Sequence, residues 1–190
     1  MKLKKLLKPY FLIPLIILVI LALIFIVWQF LPSCNLYIAV LDKTVPATQA
    51  DGHSYLGDVD NDYRKHIGLY WLLNNQKINN PQTGKPYDYK TDYFGNILDD
   101  EHNVEYERPL SQMTIMPDLL YLSDAYGIES DEDKYTRGIT REDMNMIAVA
   151  QASGAVIIGE QDILHNGTDE EVSEELQSLF GAHQTGWVGR

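Results

Sequence analysis

Hydrophobic and polar positions divide this chain into two regimes. Residues 10–31 form an apolar run interrupted only by the uncharged Gln29, and from residue 36 onward short apolar runs alternate with amphipathic stretches. The first run carries no charge, and a helix of that length reaches about 33 Å, enough to cross a hydrocarbon core of about 30 Å. Lys2, Lys4, Lys5 and Lys8 precede it, while Pro32, Ser33, Cys34 and Asn35 follow it without charge. The positive-inside bias therefore places residues 1–9 in the cytoplasm and the remainder outside it. Tyr10 and Trp28 stand near the two ends, where amphipathic rings favour the lipid interface. A cleaved secretory signal is the first alternative, but its apolar core spans only about 7–15 residues and closes on small residues. A lipobox over Leu31-Pro32-Ser33-Cys34, with Cys34 lipidated, is a second, and its proline is atypical. The expectation is a retained single-pass anchor over 10–31, lipid being its partner and the cell membrane its location.

The second regime predicts an α/β domain over 36–190. Residues 36–41 are a continuous apolar run that reads as a buried strand, 118–123 read as a second buried strand, and 155–159 and 185–188 read as two more. Residues 63–74 place Ile67, Tyr70, Trp71 and Asn74 at helical spacing, with Leu69, Leu72 and Leu73 widening the apolar face. Thr140 with Asp143, and Thr168 with Glu171, predict capping boxes that open two further helices, which Gly154 and Gly181 close. Residues 74–110, crowded with Asn, Pro, Gly and Tyr, are left unassigned except for an exposed strand over 87–94. The order matches a Rossmann-like or flavodoxin-like parallel sheet with helices on both faces. The chain stops directly after the last expected strand, so truncation at the C-terminus is part of the expectation.

Charge narrows the partners. The formal net charge is −12, and setting aside the four lysines ahead of the apolar run leaves −16 on the domain, which argues against nucleic acid. Cys34 is the single cysteine, so the domain has neither an intrachain disulfide nor a thiolate nucleophile in its interior.

Residues 36–46 (LYIAVLDKTVP), 117–128 (PDLLYLSDAYGI) and 185–190 (TGWVGR) resemble segments of bacterial membrane-anchored proteins. Their exported portion is similar to the class I glutamine amidotransferase-like fold, related to the trimerisation domain of some β-galactosidases. The resemblance carries no established activity. Members that catalyse need a cysteine nucleophile on a sharp turn after a strand, and this chain has none there. Neither Ser123 nor Ser153 stands in the Gly-x-Ser-x-Gly elbow of a serine hydrolase.

Three expected strands end on a carboxylate, Asp42, Asp124 and Glu160, and parallel alignment would gather them at the edge where open α/β sheets bind ligands. Lys43, Tyr126, Trp187 and Arg190 are the further ligand-binding candidates at that edge. Such carboxylates also cap turns for purely structural reasons, and Trp187 fits a core position as well as a sugar-stacking one. Asp58, Asp60 and Asp62 alternate as in a calcium loop, but Tyr63 and Leu69 replace the Gly and Glu that an EF-hand requires. The five histidines show no ligand spacing and read as surface or helix-end residues. No cofactor is expected, with a divalent metal as the alternative. The functional expectation is a non-catalytic binding or assembly domain of the cell envelope, with carbohydrate or an envelope protein as partner. The alternatives are a carboxylate- or metal-dependent hydrolase and a remnant of a longer protein.

Overall fold

The computed structural model describes residues 9–43, 66–99, 104–123, 138–164 and 168–183. The chain separates into two compact units, Met1–Cys34 and Asn35–Arg190. In the first, α1 (Pro9–Phe30) is apolar on every side and exposes large side chains from Phe11 to Phe30. A helix of soluble protein would bury one such face. An N-terminal helix of this length and composition is either a signal sequence or a single membrane anchor.

The second unit is an α/β fold around a mostly parallel five-stranded sheet. Its central strand, β2 (Ile38–Asp42), is buried along its whole length, which is why its sequence lacks alternation. β5 (Phe94–Leu98) lies parallel to β2 on one side and β7 (Leu119–Leu122) on the other. β8 (Val156–Gly159) extends the sheet parallel to β7, and β6 (Val104–Arg108) closes the opposite edge antiparallel to β5. The spatial order is β6-β5-β2-β7-β8. A second, small sheet joins β1 (Cys34–Asn35), β3 (Ile78–Asn80) and β4 (Lys85–Pro86).

Period-two alternation sorts the core into two layers. Ala39 and Leu41 point with Leu120 and Leu122 toward α3 (Arg141–Ala152) and α4 (Glu170–Phe180), which contribute Met144, Ile147, Val172 and Leu176. Ile38 and Val40 point the other way, toward Tyr70 and Leu73 of α2 (Ile67–Asn75) and toward Tyr87 and Tyr93.

The capping signals are realised in α3 and shifted by one residue in α4. The Thr140–Asp143 capping box opens α3 as expected, and Gly181, at φ 62°, closes α4. The N-cap of α4 is Asp169 rather than Thr168, its carboxylate accepting the Glu171 N–H at 3.0 Å. Thr168 instead joins two segments, its hydroxyl donating to the Ile163 carbonyl (2.8 Å) and accepting the Ile139 N–H (3.0 Å). In α2 the buried residues are Tyr70 and Leu73, whereas Trp71 is 69% exposed.

The exposed strand expected over 87–94 does not form. Tyr87 and Tyr93 are buried, residues 89–91 turn, and β5 begins at Phe94. The tyrosines mimic strand alternation because each buries its ring and sends its hydroxyl to backbone. Tyr87 donates to the Leu36 carbonyl (2.6 Å) and accepts the Ile38 N–H (2.7 Å), clasping the start of β2. The strand expected over 185–188 lies outside the described residues.

The tyrosine clasp makes the fold sensitive to alkali. Burial, above all, pushes the Tyr87 hydroxyl up to about 12, and burial likewise raises Tyr70 well above its ordinary value. A phenol whose folded pKa exceeds the unfolded value near 10 lends its full stability below about pH 10 and loses it as pH rises toward about 12. Unfolding between those limits, followed by circular dichroism, is expected to be shallower in Tyr87→Phe. That variant also loses about 1–2 kcal/mol at neutral pH, having given up two buried hydrogen bonds. An alkaline transition identical in both proteins would show that the clasp plays no part.

Candidate functional site at the carboxyl edge of the central strand

β2 comes first among the sheet strands and sits between β5 and β7, so the chain leaves it toward one side of the sheet and later returns on the other. In open α/β sheets such a reversal marks the carboxyl ends of the two strands that flank it, here β2 and β7, as the edge where ligands bind. Asp42, Lys43 and Ser123 stand at those ends, and all three are buried.

Consecutive residues of a strand face opposite layers, and here that separates two charges. Asp42 turns toward α2, where its Oδ2 lies 2.7 Å from Nδ1 of His66. Nε2 of His66 lies 2.8 Å from the Tyr89 carbonyl, which only accepts, so Nε2 carries a proton. Both ring nitrogens are thus engaged within the protein. The ring is wholly buried between Tyr70, edge-on at 4.9 Å, and Tyr93 at 4.4 Å. Of the two places expected for the histidines, surface or helix end, His66 takes the second, preceding the first turn of α2, and it is buried there. His66→Gln keeps a donor but loses the ring packing and one bond. Its expected cost is about 2 kcal/mol, read from a urea midpoint, and an unchanged midpoint would refute the clamp.

Lys43 turns the other way. Its Nζ lies 2.6 Å from Asp143 Oδ2, at the first turn of α3, and 3.0 Å from Glu107 Oε1 on β6. These contacts are ionic in distance and lie off hydrogen-bond directions. Lys43 and Asp143 are 1% exposed at their side chains, and Glu107 is 30% exposed. Asp143 Oδ2 also accepts the Thr140 N–H (3.0 Å) and hydroxyl (2.7 Å), so one carboxylate serves cap and ion pair together.

Asn96 sits beside Glu107 in the β5–β6 register and is 1% exposed. Its Nδ2 donates to the Lys43 carbonyl at 3.0 Å, which assigns the other amide atom as oxygen. That Oδ1 has no hydrogen-bond partner among the described residues. A buried, unfilled acceptor is rare enough to call for an explanation.

Of the residues expected at this edge, Asp42, Lys43 and Glu160 are described, and each has different partners. Glu160, after β8, accepts the Tyr121 hydroxyl and leaves its backbone N–H to the Leu122 carbonyl. Asp124, Tyr126, Trp187 and Arg190 lie outside the described residues. Among the described residues no group of three or more His, Cys, Asp or Glu is arranged to hold a metal ion.

The sequence reading missed His66, Asn96, Glu107 and Asp143 as members of the cluster. Gly95-Asn96 reads as a turn signal, and Asp143 was legible only as a cap. Comparison of the chain with protein-family models, with curated proteins and with solved structures finds no match.

Proposed function

We propose that this chain is a single-pass membrane protein whose acidic α/β domain is a non-catalytic binding module facing the cell envelope. The ligand site is the carboxyl edge of β2, where Asn96 of the neighbouring β5 meets Lys43. The observation that carries this reading is the unfilled Oδ1 of Asn96, an acceptor held beside one ammonium and two carboxylates, Lys43, Glu107 and Asp143. A donor supplied by a ligand completes it. Carboxylates around the site disfavour an anion, and hydroxyl groups satisfy such an acceptor without adding charge, so the ligand class is a neutral carbohydrate. The Rossmann-like strand order and the amidotransferase-like resemblance agree with a site at this edge, and that support is analogy of fold.

What favours binding over hydrolysis is the engagement of the acids. Asp42 is tied to His66, Glu160 to Tyr121, and Asp143 and Glu107 both to the Lys43 ammonium, so each of these carboxylates is already engaged within the protein. The test is calorimetric titration of the full chain, held in a detergent without a sugar headgroup, with neutral di- and oligosaccharides. Saturable heat that disappears in Asn96→Leu is the expected result. Absence of binding across the panel, or binding unchanged in that variant, would overturn the reading.

A further inference from the structure

We infer that the outer face of α2 and the adjoining β3–β4 hairpin form a footing that lies against anionic lipid headgroups. The inference rests on the reading of α1 as a retained anchor. Gly68, Trp71, Leu72 and Asn75 follow one another at i, i+3, i+4 and i+7, the spacing of a single helix face, and all four are exposed. Trp71 is 69% and Leu72 48% exposed, while Tyr70 and Leu73 fill the core on the opposite side. The outer stripe therefore carries an indole and an aliphatic side chain that the domain itself does not cover. Tryptophan beside an aliphatic neighbour suits the boundary between headgroup and hydrocarbon.

Charge points to the same occupant. Residues 66–92 contain Lys77, Lys85 and Lys90 against two acids, Asp88 and Asp92, so this segment keeps a positive balance within a domain of net charge −16. Elsewhere the acidic surface is repelled by anionic lipid, and each lysine here is attracted. Connectivity adds the third element. Four residues, Leu31 to Cys34, separate Phe30 from Asn35, and an extended chain keeps those ends within about 18 Å. Leu36 in turn donates its N–H to the Asn79 carbonyl of β3.

The test uses the full chain in vesicles of phosphatidylcholine mixed with phosphatidylglycerol. Cys34→Ser frees the background of thiols, and nitroxide labels are placed singly at Gly68→Cys, Leu72→Cys, Phe25→Cys and Glu174→Cys. Gly68 has open space where a Cβ would project, so that site reports even if the Leu72 variant folds poorly. Glu174, exposed on α4, serves as the water-facing reference. Labels at 68 and 72 are expected to gain oxygen access and lose access to a polar nickel chelate, as the Phe25 label does. Lys85→Gln is expected to lower the ratio of lipid-bound to water-exposed label about fivefold, the worth of one lysine at an anionic surface. If the Phe25 label is in lipid while those at 68 and 72 match Glu174, the footing is overturned and the anchor stands. A Phe25 label in water overturns both. Spin–spin broadening at Leu72 that vanishes on dilution with unlabelled protein assigns the face to a second copy and overturns the footing.

Discussion

Gly95→Ala is expected to cost more than about 4 kcal/mol and to leave little folded domain, because two independent penalties fall on one atom. Gly95 has φ 103°, a conformation that residues with a side chain rarely adopt. A Cβ placed there would lie 2.0 Å from the Asp42 carbonyl oxygen and 2.6 Å from its carbon. Those atoms are backbone of the central strand, opposite Gly95 in the β2–β5 register, so no side-chain rotation can relieve the overlap. Relief requires β2 and β5 to part, and parting them would also pull Asn96 from Lys43. Circular dichroism and urea unfolding of the full chain in detergent would measure the loss. A Gly95→Ala protein with the parent's midpoint would show that the two strands do not approach in this way. Gly84, also at positive φ but with open space around it, is the matched control: Gly84→Ala carries the conformational strain without the clash.

Lys43→Met is expected to destabilise the domain by about 3–5 kcal/mol at neutral pH, since removing one partner of a buried ion pair strands the other. Asp143 would keep its two bonds from Thr140 but lose the cation 2.6 Å away, with Glu107 left as a like charge near the vacated position. Methionine preserves most of the stem volume, so the loss reports charge rather than cavity. Adding Asp143→Asn should restore part of the stability, because no unpaired carboxylate then stays buried, and the non-additivity of the two substitutions measures their coupling. A cost of less than about 1 kcal/mol for Lys43→Met would place this pair in the class of solvated surface bridges and contradict its burial.

These two sites show how unevenly the architecture was written into the local sequence. β2 was visible as a short apolar run because a parallel strand buried on both faces needs apolar residues at every position; β7 and β8 were visible as apolar runs too, although β8, at the edge of the sheet, leaves Val156 and Ile158 exposed. α3 was visible because its cap is a local motif in which Thr140 and Asp143 answer each other three residues apart. β5 and β6 were hidden: FGNIL carries a glycine and an asparagine that imitate a turn, and VEYER carries three charges suited to an edge. The stripe on α2 misled for a related reason. Its apolar residues cover nearly the whole circumference, and spacing alone does not say which of them meets the sheet.

The candidate site was half legible. Asp42 and Lys43 were marked by their place at the end of a buried run, where a polar pair is conspicuous. Their partners come from distant parts of the chain, His66 from the entry to α2, Glu107 from β6 and Asp143 from α3, and no local pattern connects them.

From the order of its residues alone, this chain commits its N-terminus to a long apolar helix and the rest to alternating strands and helices. Both follow from periodicity and length, properties that a short window of sequence contains. Which charge meets which was settled by packing. The pleat sends Asp42 and Lys43 to opposite layers, and the sheet order brings β5 and β6 alongside β2, so pairing across dozens of residues depends on register and burial that exist only once the strands have assembled.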